Sequence, residues 1–197
     1  MTDLMRKYRV LADDGYLSLI DLHCADAVLS LEGKQDETLY CAVLALSRAA
    51  REKHVCVSMD EPFAGELPES KDSCSLISQI GVNRWKKELP RCRTVGSPGD
   101  YAPVILDGDK LYFHKYFHYE NLLAARLLDA AKLMPEKMPD HHLCDLLFPP
   151  SDAVDWQRIA AVNAFMRDFS VVTGGPGTGK TTTAAKIMIL CSESASA

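Results

Sequence analysis

The residues with the clearest chemistry are Gly174, Gly175, Pro176, Gly177, Thr178, Gly179, Lys180 and Thr181, which match the pattern G-x-x-x-x-G-K-[ST]. Each part of that spacing has a physical reason. Small residues let the backbone wrap around an anion, so that several main-chain N–H groups and the start of the following helix point at the charge. A lysine at the seventh position can neutralise the β- and γ-phosphates of a nucleotide, and the hydroxyl that follows can ligate Mg²⁺. Lys180 and Thr181 are therefore the candidate catalytic residues. Thr182 completes the nucleotide-binding set, and ATP with Mg²⁺ is the expected cofactor pair.

Gln157 lies 17 residues before Gly174, on the helix that leads to the loop. A glutamine amide both donates and accepts, so it can read an adenine edge, a choice that a phosphate loop cannot make. The bland reading, a solvated glutamine on a helix surface, competes with this one on local sequence alone.

The elements that must hold these residues follow from periodicity. Phe169 to Thr173 is short and β-branched, as buried parallel strands are, and "KTTTAAKIMIL" after the loop reads as a helix. Before them, "SDAVDWQRIAAVNAFMR" reads as a helix with Ser151 or Asp152 as N-cap and with Val154, Ile159, Val162 and Phe165 facing a core.

The first third of the chain is helical in pattern. "LSLIDLHCADAVLSLEG" sets Leu19, Leu22, Ala25 and Leu29 at helical spacing and stops at Gly33. "DETLYCAVLALSRAAREK" repeats the pattern with Leu39, Val43, Leu44 and Ala50, so the two should form a hairpin. "HVCVSM" reads as a short strand. Ser73 to Leu89 reads as one or two short helices around Trp85. "APVILDGDKLYFHKYF" reads as a β-hairpin turning at Asp107-Gly108, followed by a helix with Leu122, Ala125, Leu128 and Leu133 inward, which stops before Pro135.

The fold class expected is α+β: a mostly helical N-terminal domain with a β-hairpin, then the first strand, loop and helix of a P-loop α/β domain. The expected borders are 1–135 for the N-terminal domain, 136–150 for a proline-rich linker and 151–197 for the start of the second domain.

Composition narrows the function. Of 197 residues 47% are hydrophobic, enough for a packed core, and the net charge of −5 does not mark a nucleic-acid-binding surface. No apolar run reaches membrane-spanning length and the N-terminus has charges where a signal peptide needs an apolar centre, so the expected compartment is the cytoplasm. The seven cysteines show no C-x-x-C pair and read as reduced, mostly buried thiols. His114, His118, His141 and His142 complete no zinc spacing. Trp85, Tyr112, Phe113, Tyr116 and Phe117 could stack single-stranded bases, but an aromatic hairpin is more often core or protein interface.

Three stretches in order, "VILDGDKLYFHKYFHYE", "LFPPSDAVDWQ" and "FSVVTGGPGTGKTTTAAK", resemble the RecD subunits of bacterial RecBCD enzymes, also called exonuclease V α chains. The resemblance is most specific from about Pro103 onward. It implies an ATP-dependent superfamily 1 helicase subunit that moves 5′ to 3′ on single-stranded DNA, in a heterotrimer with RecB- and RecC-type subunits that processes double-strand breaks for recombination. It also places the superfamily's adenine-reading glutamine on Gln157 and its phosphate loop on Gly174 to Thr181. A RecA-like motor needs further acidic, arginine and DNA-contacting motifs that the seven residues after Leu190 cannot supply. The expectation is thus an N-terminal docking domain plus the opening of a motor domain, inactive by itself. Two alternatives stand beside it: a protein-interaction module docking on RecC with no activity of its own, and an unrelated P-loop ATPase with a helical extension.

Overall fold

The computed structural model describes residues 2–63, 65, 68–132 and 138–195. The chain divides into two compact units, Met1–Glu120 and Asn121–Ala197. The expected fold class is the one observed: helices dominate, and one small sheet lies in the first unit.

The first unit is built on three helices, α1 (Asp3–Asp13), α2 (Leu19–Glu32) and α3 (Glu37–Arg51). α3 is buried all round from Leu39 to Arg48, the mark of a central helix. Its start is fixed by Asp36, whose Oδ1 accepts from the Leu39 N–H at 3.0 Å. α2 ends where expected, at Gly33 with φ 82°. Leu22, Ala25 and Leu29 point inward as expected, whereas Leu19 is exposed, because it opens the helix and lies outside the stripe that faces α3.

Four strands follow in the order β1-β4-β3-β2. β1 (Cys56–Ser58) runs antiparallel to β4 (Lys110–Phe113), and β4 antiparallel to β3 (Val104–Asp107). The hairpin stands, one residue displaced in its turn. Asp107 pairs with Lys110, so the two loop residues are Gly108 and Asp109, with positive φ confined to Gly108. That sign pattern belongs to the type II′ turn, which needs glycine first.

β2 (Val95–Gly96) pairs parallel to β3, which the sequence pattern did not announce. The reversal is the turn Ser97-Pro98-Gly99-Asp100, with φ 99° at Gly99 and Asp100 Oδ2 accepting from the Ser97 N–H at 2.8 Å. It folds so closely on Gly96 that a Cβ there would lie 2.7 Å from that of Asp100. Between β1 and β2, α4 (Lys71–Ser78) and α5 (Trp85–Glu88) seat Trp85 fully in the core against Phe63.

β4 stops at Phe113, and His114 to Phe117 begin helix α6 (His114–Lys132) rather than extending the strand. Trp85 and Tyr112 are buried, so the aromatic residues do not form one exposed platform. Leu122, Ala125 and Leu128 are exposed rather than inward, Leu128 by 61%, because neither hydrophobic cluster draws on this helix. The expected positions of Leu133 and Pro135, and the border at 135, lie outside the described residues.

One carboxylate ties the end of α2 to the strand region. Glu32, 4% exposed at its side chain, accepts from Thr94 N and Thr94 Oγ1 at 2.9 Å and from Arg93 N at 3.2 Å. Burial raises the carboxyl pKa, but these donors outweigh it and the net shift is downward. A depressed carboxylate adds stability above its unfolded pKa and loses it as pH falls through the folded value. The unfolding free energy of Glu32→Gln should therefore fall below wild type by about 1–3 kcal/mol at pH 7. The gap should close in urea titrations below about pH 4.

Cys41, Cys92 and Cys144 are buried, Cys24, Cys56 and Cys74 half-buried and Cys191 exposed, so fewer are interior than the sequence suggests; none of the seven is in a disulfide. Burial pushes the Cys41 and Cys92 thiols up to about 12. No described helix is long and apolar enough to cross a membrane.

Candidate nucleotide-binding site

In the second unit, α7 (His141–Leu147), α8 (Trp156–Phe165) and α9 (Lys180–Ala195) share a core of Cys144, Phe148, Ala161 and Leu190. The stretch expected as a linker, 136–150, thus contains a helix and supplies two of those side chains. Asp140 caps α7 by accepting from the Leu143 N–H at 3.1 Å. Arg158 joins α8 to α7 through Asp145 at 2.7 Å.

α8 begins later than its sequence suggested. Asp155 is the N-cap, its Oδ1 accepting from Gln157 N at 2.9 Å and Arg158 N at 3.0 Å, in place of Ser151 or Asp152. Val154 therefore lies before the helix and is exposed. Ile159 is also exposed, leaving Val162 and Phe165 to pack with Ala161. The cap puts Gln157 in the first turn, beside the loop.

Phe169 to Thr173 pairs with no strand among the described residues, and Val171 is 71% exposed. The physical reason is that a strand gains its ladder only from a neighbour, and all four strands of the described sheet come from residues 56–113. α9, by contrast, is anchored: Thr183 and Leu190 are buried and Ile187 partly so.

The loop itself is shaped as an anion cradle requires. Gly177 has φ 76° and Gly179 φ 80°, conformations that side chains resist. Thr178 Oγ1 donates to Gly175 O at 2.9 Å, and a Cβ on Gly174 would lie 2.6 Å from that oxygen. The Lys180 ammonium donates to Gly174 O at 2.8 Å and Gly175 O at 2.6 Å, so it stands across the loop on two neutral carbonyls. Thr181 and Thr182 are exposed at the start of α9, and Pro176 is exposed in the turn.

The charge arrangement favours an anion. α9 opens on Lys180 with no acidic residue in its first turn, although the positive end of a helix dipole prefers negative charge. A phosphate placed there would satisfy both the helix end and the ammonium. All predicted site residues except Gln157 lie on this one loop and turn, and Gln157 reaches it: its Nε2 donates to Thr178 O at 3.2 Å. Two contributors escape sequence inspection. Thr183, buried, binds Gly179 O through Oγ1 at 3.0 Å, and Asp155 sets the turn that carries Gln157. The only written signal for either is an Asp two places before Gln157, a common capping spacing.

The family described as "RecBCD enzyme subunit RecD, N-terminal domain" matches residues 13–112, just over half of the 197-residue chain. The chain belongs to the RecD family. A second family, described as "AAA domain", matches residues 157–197, a span that starts at Gln157 and includes the whole loop. RecD-family relatives named "RecBCD enzyme subunit RecD" align across most of the chain. That of Mycobacterium tuberculosis is 33% identical over 92% of this chain, and that of Mycolicibacterium smegmatis is 32% identical over 89%. That of Haemophilus influenzae is 31% identical over 68%. The chain spans 29% of the length of the mycobacterial RecD relatives and 21% of the Haemophilus one.

Proposed function

We propose that residues 151–197 open the ATP-binding motor domain of a 5′ to 3′ DNA helicase subunit acting in a RecBCD-type complex during double-strand break repair and recombination. The observation that carries this reading is Lys180 at the head of an acid-free helix start, held across a loop of positive-φ glycines. The second supporting line is the AAA-domain match, which begins at Gln157.

In this reading the N–H groups of Gly174, Gly175, Gly177, Thr178 and Gly179 and the start of α9 receive the triphosphate, and Lys180 balances the β- and γ-phosphates. Gln157 faces the adenine edge. Thr181 would hold Mg²⁺, whose charge supports phosphoryl transfer. In a protein joining these residues to the rest of a motor, single-stranded-DNA-stimulated ATP turnover should fall about a hundred- to a thousandfold with Lys180→Gln. Retained turnover would refute the assignment.

For residues 1–135 we propose a docking module that seats the motor on a RecC-type subunit beside a RecB-type one. Residues 1–120 carry a core of their own, and α2 leaves Leu19, Ile20 and Leu31 exposed, apolar surface of the kind protein partners cover. The acidic balance of the chain suits a protein partner better than DNA. A tagged chain should retain a purified RecC-type subunit on a column, and a RecC-type subunit that washes through would contradict the module.

A further inference from the structure

Gln157 meets the phosphate loop at the step just before Lys180. Its Nε2 donates to Thr178 O at 3.2 Å, and only the NH₂ end of an amide can face a carbonyl oxygen. A Cβ on Gly179 would lie 2.6 Å from the same nitrogen, so the loop backbone approaches the end of the Gln157 side chain closely at a residue whose φ of 80° already favours glycine.

From the other side, Gly179 O accepts from Thr183 N at 2.8 Å and from Thr183 Oγ1 at 3.0 Å. The peptide planes on both sides of Gly179 are thereby held, one by α8 and one by α9. A trans peptide sets its N–H opposite its C=O. Pinning Thr178 O toward Gln157 therefore aims the Gly179 N–H to the opposite side, away from α8.

We infer that Gln157 is a positioning residue of the phosphate loop, so that it governs binding of a phosphate chain even when no base is attached. This role rests on Gly174 to Thr181 being the phosphate site proposed above. It is compatible with base reading, since the bond to Thr178 uses one of the two amide N–H groups. The second N–H and the carbonyl remain in the inventory of the side chain for an adenine edge. One amide then links the base end of a nucleotide to the loop that holds its phosphates.

The test is calorimetric titration of the full chain with inorganic tripolyphosphate, which has no base, and with MgATP. Gln157→Met keeps the length of the side chain and cannot donate; Gln157→Glu is isosteric and places an acceptor against Thr178 O. Tripolyphosphate affinity should fall about two- to tenfold in Gln157→Met, the range of one lost hydrogen bond, and at least as far in Gln157→Glu.

Equal tripolyphosphate affinity in wild type and both Gln157 variants, with only ATP weakened, would overturn the positioning role and leave base reading intact. A wild-type chain that binds neither ligand would overturn the phosphate site, and the positioning role with it.

Discussion

Replacing Asp21 by alanine is expected to cost the first unit about 3 kcal/mol or more of unfolding free energy, the largest loss among its single polar substitutions. Asp21 has no exposed side-chain surface, and its carboxylate is the clasp between α2 and α3. Oδ1 accepts from Ser47 Oγ at 2.6 Å, and Oδ2 accepts from Ser18 N at 2.8 Å. Arg51 donates to both oxygens through Nε at 3.1 Å and to Oδ2 through Nη2 at 2.9 Å. The alanine variant strands a guanidinium, a buried hydroxyl and the N–H that opens α2.

Arg51 is 39% exposed at its side chain and regains water, which keeps the loss at the lower end of the range for broken buried pairs. Asp21→Asn retains an oxygen for Ser18 N and should cost less than alanine. Urea unfolding followed by circular dichroism reads both, and a loss below about 1 kcal/mol for Asp21→Ala would show that the clasp is energetically idle.

Nothing in local sequence marks that clasp. Asp21, Ser47 and Arg51 are brought together only when α2 and α3 pack. What sequence does reveal is the local kind of order. Gly33 ends α2, Asp107 and Gly108 mark the hairpin to within one residue, and the glycine spacing marks the loop, because each depends on backbone conformations that few residues tolerate.

Errors arise where tertiary partners decide. Leu122 and Leu128 have the spacing of a buried stripe, yet spacing says nothing about whether another surface comes to cover them. Phe169 to Thr173 has the composition of a strand but pairs with none among the described residues. At the site, the loop and Gln157 were legible. The Gln157 to Thr178 bond and the buried Thr183 were not, since both depend on how α8 and α9 lie against the loop.

Substituting Lys180 by glutamine is the second change with a large expected effect. The ammonium already spans Gly174 O and Gly175 O, so it needs little rearrangement to meet phosphate oxygens at the same loop. Glutamine removes the charge that, in the proposed site, would offset the triphosphate, and leaves the helix start with a neutral side chain. Charge-assisted hydrogen bonds contribute about 1.5–3 kcal/mol, which predicts an ATP affinity lower by about ten- to a hundredfold. In the complete motor proposed above, the same charge would follow the γ-phosphate through transfer, and turnover should fall about a hundred- to a thousandfold. The fold should be unaffected, since Lys180 is exposed and its ammonium bonds to loop carbonyls.

The central claim, that Gly174 to Thr181 is a nucleotide phosphate site, is tested most directly by titrating MgATP into the ¹⁵N-labelled 197-residue chain. The backbone amide signals of Gly177, Gly179 and Thr181 are the readout, in wild type and in Lys180→Gln. Saturable shifts at those amides in wild type, with the midpoint moved at least tenfold higher in the variant, are the predicted result. Signals that stay in place at millimolar MgATP, or that move with the same midpoint in both proteins, would contradict it.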